Sequence, residues 1–217
     1  MWALSLLLAA PQPVSFRYHD RDGFVTRFSV RYEFQARVGR GTDTHVTAQA
    51  TLSDLTLGRT ADKRGWRHRL TVQHLQVHGL PSPSDTDLIA PIAELEGQTY
   101  TRKLNGEVVW SNRTSANETL RSAFGSFPRG PVRAGDAWMG SNEDPDAHFT
   151  WDGPGLPVRY APIDLPSGTR VDVRTWFDAA TGVLLRHEVS MDTSVGADST
   201  PTTVRSRWKL VRIAPQK

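Results

Sequence analysis

The sequence predicts a mainly β protein: a single curved antiparallel sheet or half-open barrel of about ten strands with two short helices. Apolar and polar residues alternate over long segments, as in strands with one buried face. Turn signals such as Asn105-Gly106 separate these segments. The connections between them are too short for parallel crossovers. With 217 residues, 38% of them hydrophobic and 23% charged, the chain can bury one core, so we expect one domain over residues 14–214.

The N-terminal part contains the longest predicted strands. Residues 14–18 and 23–38 both alternate, and the turn that starts at Asp20 predicts that they form a hairpin. The next strand begins near Asp43, and its apolar parity slips by one residue near Ser53-Asp54, which predicts a β-bulge. Residues 66–78 show the same slip between Val72 and Leu75. Two long, bent neighbouring strands imply a curved sheet.

Two helices are predicted between the strands. Residues 84–95 carry a capping residue and apolar residues at helical spacing, and Pro91 shortens or kinks that helix. Residues 115–127 form the second helix, with Ser115 and Glu118 as a capping box. A hairpin over residues 98–112 lies between them. The proline-rich region 129–167 predicts loop with short strands, and residues 169–178, 183–195 and 203–213 predict a closing meander.

The first residues resemble part of a secretory signal. The apolar run of residues 2–10 precedes Pro11 and Pro13, which predicts cleavage near Ala9 or Ala10. We therefore expect an exported protein that is periplasmic, extracellular or part of the cell envelope. No Lys or Arg precedes this run, so either the true start of translation lies further upstream or the segment is an apolar first strand. No stretch approaches 18 apolar residues, and we therefore expect no transmembrane helix.

Composition and motifs argue against several function classes. The net charge is +3, and the 26 Lys and Arg residues are spread along the strands, so we expect no nucleic-acid partner. The absence of cysteine excludes disulfides, a cysteine-ligated zinc and a lipidated cysteine. Nucleophile-elbow, phosphate-loop and zinc-protease motifs are missing, and we expect neither an enzyme nor a cofactor. The acidic clusters around Asp20 and in residues 143–152 fit turns and loops better than paired catalytic carboxylates.

Three histidines were considered as metal ligands. His68, His74 and His78 share one parity of a predicted strand, an arrangement that suits zinc or copper. The parity slip places His68 on the core side and the other two outside, so we expect no metal site.

Aromatic residues are the most informative feature for function. The chain has seven tryptophans, and an aromatic-rich concave sheet is a natural surface for an apolar ligand. Core packing is the alternative explanation. The side chains predicted to face such a ligand are Phe28, Tyr32, Phe34, Trp110, Trp138 and Phe177.

The arrangement of several segments resembles an uncharacterised family of bacterial secreted or envelope proteins, and the resemblance spans about residues 14–214. The segments that carry it are Leu95-Glu96-Gly97, Leu104-Asn105-Gly106-Glu107, residues 127–132 leading into Gly135-Asp136-Ala137-Trp138, and residues 177–184. The last segment is also similar to the lipoprotein-localisation class of LolA and LolB, which implies a curved sheet with helices on its concave face.

Three functional hypotheses follow. The first is a carrier or chaperone that shelters a lipid, lipoprotein or other apolar ligand in the curved sheet, which requires an apolar pocket. The second is an envelope structural or protein-interaction module with a filled core. The third, an enzyme without a readable motif, has no nominated nucleophile or base. In each case we expect a monomer whose partner is an apolar ligand or an envelope protein.

Overall fold

Eleven strands account for more than half of the residues that the structure describes. A computed structural model describes residues 12–18, 20–39, 41, 43–111, 127–140, 148–161, 168–178, 180–195 and 202–214. The strands are β1 (Val25–Val38), β2 (Asp43–Arg59), β3 (Gly65–His78), β4 (Thr99–Lys103), β5 (Val108–Trp110), β6 (Ala137–Met139), β7 (His148–Trp151), β8 (Val158–Ala161), β9 (Thr169–Phe177), β10 (Leu184–Val195) and β11 (Thr202–Arg212). The predicted mainly β class is confirmed.

All strands belong to one antiparallel sheet of order β5-β4-β3-β2-β1-β11-β10-β9-β8-β7-β6. Within β1 to β5 and within β6 to β11, each strand lies beside its neighbours in sequence. β5 and β6 are at opposite edges of the sheet, and β1 pairs with β11 at the centre. The predicted hairpin of residues 14–18 with β1 is therefore wrong, because β2 and β11 occupy both edges of β1. Instead, Val14 bridges Val132, and the Tyr18 amide donates to the Leu104 carbonyl.

The sheet is strongly curved and does not close into a barrel. In a flat sheet, the five strand spacings between β4 and β10 would separate them by about 24 Å. In the folded chain, Nη2 of Arg102 on β4 lies 3.2 Å from the carbonyl oxygen of Gly182, at the β9–β10 turn. β4 and the β9–β10 turn thus meet at this end of the sheet, and Ala36 and Val204 lie toward the opposite end. We name these the closed end and the open end, and the two sides of the sheet the inner and outer faces.

A short helical segment covers part of the inner face. A 3-10 helix, Thr86–Ile89, continues into one α-helical turn, α1 (Ala90–Ala93), with Pro91 in the first turn. Ile89, Ile92 and Leu95 are buried against Phe28, Val30 and Leu210 of the sheet. The predicted shortening of this helix is confirmed. The second predicted helix, residues 115–127, lies almost entirely outside the described residues. Within the described part of the chain, no helix has both the length and the apolar character needed to cross a membrane.

A second core lies at the closed end. Phe16 and Tyr18 from the N-terminal segment pack there with Trp66 and Trp151. The Phe16 ring meets the Trp151 ring edge-on at a centroid distance of 5.3 Å. Residues 14–18 therefore serve as a packing segment across the inner face.

The set of residues that points inward changes along β3 as predicted, whereas on β2 it does not change where predicted. On β3 the register shifts opposite Gln49 and Thr51, so that both Val72 and Val77 pack against the core, as predicted. On β2 the pairing with β1 is continuous from Asp43 to Leu55, so the bulge predicted at Ser53-Asp54 is wrong. The register of β2 with β3 shifts further along, between Thr56 and Gly58. Asp54 and Thr56 occupy the next inward positions and are buried there. Because these inward residues are polar, the apolar pattern alone suggested a slip.

The outer face of β1, β9, β10 and β11 is rich in arginine. The inner parity of these strands carries the core residues, and the opposite parity faces outward. Outward basic residues outnumber acidic ones by more than two to one. The basic residues are Arg27, Arg31, Arg37, Arg170, Arg174, Arg186, Arg205, Arg207 and Lys209, and the acidic residues are Glu33, Asp172, Glu188 and Asp192. Residues scattered in sequence thus share one face.

Candidate functional site

Part of the inner face is apolar and remains half-exposed. The helical segment covers the middle of the sheet, whereas the inward residues toward the open end are only partly buried. We call this surface the apolar shelf and define it by Phe34, Ala36, Val171, Met191 and Val204. It is continuous with the core through Phe34, which packs against the core cluster.

Strand register explains why these residues adjoin. Phe34 lies opposite Ser206, which lies opposite Met191, and Met191 lies opposite Val171. This row crosses β1, β11, β10 and β9 in turn. Side chains directly opposite on one face lie about 5 Å apart, so the row forms a continuous surface.

The next row toward the open end completes the shelf. It places Ala36 beside Val204, followed by Thr193 and Thr169. Small and hydroxyl-bearing side chains replace large apolar ones here, so the shelf becomes more polar toward its outer rim.

An indole donor lies directly beneath the shelf. Trp208 is 3% exposed and pairs with Tyr32 and Val189 on the neighbouring strands. Its Nε1 has no hydrogen-bond acceptor among the described residues. A buried N–H without an acceptor is unfavourable by about 1–3 kcal/mol. Because the Nε1 atom is itself buried, an oxygen acceptor of a ligand on the shelf reaches it only when neighbouring side chains move.

The six side chains predicted to face a ligand occupy three environments. Phe28 and Tyr32 are buried in the covered core, at 2% and 6% exposure. Phe34 lies on the shelf. Trp110 and Phe177 are partly buried against the covered core, and Phe177 also packs against the second core with Trp138. Of the six predicted residues, Phe34 alone lies on the shelf. That any of the six contacts a ligand stays a prediction.

A buried polar network lies between the two cores. His68 is 0% exposed, and its Nδ1 is 3.1 Å from Oδ1 of Asp54 while its Nε2 is 3.3 Å from the Tyr18 hydroxyl. The Tyr18 and Thr56 hydroxyls both donate to Oδ2 of Asp20, each at 2.6 Å. The network joins the N-terminal segment to β2 and β3.

Two further side chains complete this network. The Tyr100 hydroxyl donates to Oδ2 of Asp54 at 2.6 Å, and its ring stacks on His68 at a centroid distance of 4.7 Å. The guanidinium of Arg102 lies 4.0 Å from the centre of the Tyr18 ring. Burial raises the pKa of both the Tyr18 and Tyr100 phenols, which therefore remain protonated hydrogen-bond donors.

The network contains the chemical groups of an acid–base site, but a substrate does not have access to them. A histidine between two carboxylates is a common general base. The burial of His68 and Tyr100, at 0% and 3% exposure, however, keeps a substrate from reaching them. We therefore assign the network to holding β2, β3, β4 and the N-terminal segment together. Sequence reasoning missed it, although the polar inward positions Asp54 and Thr56 were a usable signal.

The structure separates the three histidines considered as metal ligands. His68 is buried, whereas His74 and His78 are exposed. Among the residues that the structure describes, no group of three His, Asp or Glu side chains is placed to hold a metal ion.

Comparison with known proteins identifies the fold. No family model and no curated protein matches the sequence. Lipovitellin, in a structure concerned with lipid–protein interactions, is similar with a TM-score of 0.53 and 9% identity, over 92% of this chain and 26% of the lipovitellin chain. This chain therefore spans about a quarter of that protein. A LolA superfamily protein from Nitrosomonas europaea gives a TM-score of 0.16 and 11% identity, over 91% of this chain and 90% of its own.

The likeness to lipovitellin shows a shared sheet fold and nothing more specific. The TM-score of the LolA superfamily protein is too low to carry an argument. The predicted membership in an uncharacterised bacterial family stays a prediction.

Proposed function

We propose that this protein is a non-enzymatic carrier that holds a lipid or another apolar ligand on the apolar shelf. The observation that carries the proposal is the half-exposed inner face formed by Phe34, Ala36, Val171, Met191 and Val204. Apolar area that stays in contact with water in the free protein is gained as binding energy when a ligand covers it, at about 25 cal/mol per Å². The curved sheet gives this surface the concave form that ligand sites usually have.

The indole of Trp208 defines the ligand class further. Its unpaired Nε1–H lies under the shelf, within the inner face. If the side chains that bury Nε1 move aside, an ester or carboxyl oxygen would satisfy this donor while the attached chain covers the shelf. An acyl lipid has both parts. The lipid–protein interactions for which lipovitellin is described support a lipid ligand for this chain by analogy of fold.

We extend the proposal to export, so that the carrier works in the periplasm or cell envelope as a monomer. The apolar run of residues 2–10 supports this part of the proposal.

Native mass spectrometry of protein purified from a lipid-containing host tests the proposal first. The native mass is compared with the denatured mass of the same sample. A co-purifying mass of lipid size is expected and identifies the ligand class. A bare protein mass, together with no binding of a fluorescent fatty acid, would leave the envelope interaction module as the better function.

Substitutions locate the site. Met191→Ser/Val204→Ser removes apolar surface from the shelf, and we expect fluorescent fatty acid binding to weaken about tenfold, at about 0.8 kcal/mol per buried methylene lost. Leu156→Ser is the matched control, because Leu156 is an exposed leucine in the turn between β7 and β8. Equal weakening by both variants would place the ligand elsewhere.

A further inference from the structure

Several basic residues of the outer face have no partner. The four acidic residues are already engaged. Asp172 pairs with Arg174 at 2.8 Å, Asp192 with Arg205 at 2.6 Å, and Glu188 with Arg186 and Lys209 at 2.6 and 3.1 Å. Glu33, which lies directly opposite Arg207 in the β1–β11 ladder, is 3.2 Å from Nε2 of His45. Within the described part of the chain, no hydrogen bond or ion pair involves the guanidinium groups of Arg27, Arg31, Arg170 and Arg207. Unneutralised charge is therefore concentrated on this face.

The position of Arg31 is unfavourable in the free protein. It lies directly opposite Lys209 in the β1–β11 ladder. Like charges directly opposite each other destabilise a strand pair. Both residues line a cleft of about 320 Å³ on the outer face, where four basic residues outnumber three carboxylates. The other basic residues are Arg174 and Arg207, and the carboxylates are Glu33, Asp172 and Glu188. A bound anion would relieve the repulsion, and this points to a negatively charged partner.

The same face carries exposed apolar residues at the closed end. Val25, Leu57 and Ile213 are 43%, 44% and 40% exposed and follow the outward parity of their strands. Val25 and Ile213 line a cleft of about 580 Å³ with Arg27. Phosphate-rich polymers such as nucleic acids are bound by the basic groups alone. A lipid surface engages both the basic and the exposed apolar side chains. Its phosphates contact the guanidinium groups, and the apolar side chains enter the headgroup region.

We propose that the outer face of β1 and β11 docks on an anionic lipid bilayer. Arg27, Arg31 and Arg207 contact lipid phosphates, and Val25, Leu57 and Ile213 enter the headgroup region. This surface lies on the opposite side of the sheet from the apolar shelf. Docking therefore goes beyond the proposed carrier function and does not depend on it.

Vesicle co-sedimentation of the full chain tests the docking. We expect binding to vesicles of phosphatidylcholine with about a quarter phosphatidylglycerol, weak binding to phosphatidylcholine alone, and loss of binding as salt rises. Arg27→Glu/Arg31→Glu should weaken binding by about tenfold or more. Arg129→Glu/Arg133→Glu is the control with the same charge change, because both residues are exposed outside the sheet. We expect it to bind within about twofold of wild type.

Stability separates docking from a structural role. Arg31→Glu replaces a like-charge pair with an opposite-charge pair across Lys209, so its thermal midpoint should rise while vesicle binding falls. Val25→Ser/Leu57→Ser should also weaken vesicle binding. Equal loss in the control variant, or absence of binding to phosphatidylglycerol vesicles, would overturn the proposal.

Two further readouts identify the partner and the face. Binding to heparin or duplex DNA without binding to vesicles would overturn the proposal in favour of a site for anionic polymers. Met191→Ser/Val204→Ser should bind vesicles like wild type, so failure of the carrier function and failure of docking are distinguishable.

Discussion

His187 should make the protein lose stability in mild acid. This side chain is 0% exposed on β10, and its Nδ1 lies 3.0 Å from the Thr175 hydroxyl. Burial lowers the pKa of the imidazole from 6.5 to about 3, and the nearby Glu188 carboxylate offsets only part of this effect. The unfolded chain thus takes up a proton in a pH range where the folded chain does not. The stabilisation is complete above pH 6.5 and is lost progressively as the pH falls toward 3.

The size of the effect follows from linkage. Each pH unit within this range corresponds to about 1.4 kcal/mol, so the free energy of unfolding should fall by about 2 kcal/mol between about pH 7 and pH 5 because of His187 alone. Urea unfolding followed by tryptophan fluorescence measures this loss. His187→Gln cannot titrate but keeps hydrogen-bonding groups, and we expect its loss between the two pH values to be smaller than that of wild type by this amount.

An exposed histidine provides the control. His78→Gln should lose as much stability on acidification as wild type, since the His78 side chain is exposed on β3. If wild type and His187→Gln lose stability equally, the interpretation of His187 as a buried neutral imidazole is refuted.

Three further predictions concern stability and use the same urea assay. Asp54→Ala should lower the free energy of unfolding by about 3 kcal/mol, because it leaves the buried partners of this carboxylate unpaired. A loss under about 1 kcal/mol would contradict the stabilising role of the network. Gly182→Ala should lower the free energy of unfolding by about 2 kcal/mol or more, because Gly182 has a φ of 65° and a Cβ would lie 2.6 Å from a backbone carbonyl oxygen. Gly130→Ala is the control: a Cβ there would have nothing within 4 Å, and the loss should be about 0.5 kcal/mol or less. Leu95→Ala should cost about 3 kcal/mol at a 0% exposed position, whereas Leu104→Ala at 37% exposure should change stability little, and equal losses would contradict the described core.

The strands were predictable where one face is apolar and the other polar. β1 alternates over most of its length, and the Asn105-Gly106 turn joins β4 to β5 as expected, with Gly106 at a φ of 80°. Periodicity identifies strands, but it does not identify their partners. For that reason residues 14–18 were assigned to the wrong neighbour.

Buried polar residues limited the rest of the prediction. Asp54 and Thr56 continue the inward row of β2, and their polarity hid that continuation. The shelf was equally hidden, since Phe28 and Phe34 have the same parity on β1 and only the position of the helical segment decides which of them stays covered. Predicting the basic outer face would have required the register of four strands. No local sequence pattern contains that register.

The central pairing of β1 with β11 has a consequence for how the chain folds. Strands β1 to β5 and β6 to β11 form two meanders whose contacts are between sequence neighbours, whereas the β1–β11 ladder joins residues such as Phe28 and Arg212. Closing so long a loop is slow, so each meander forms before the ladder does. Until they join, β1 and β11 are unpaired edges that invite pairing with other chains. The strand pair in the middle of the finished sheet is therefore the most vulnerable surface of the newly made chain.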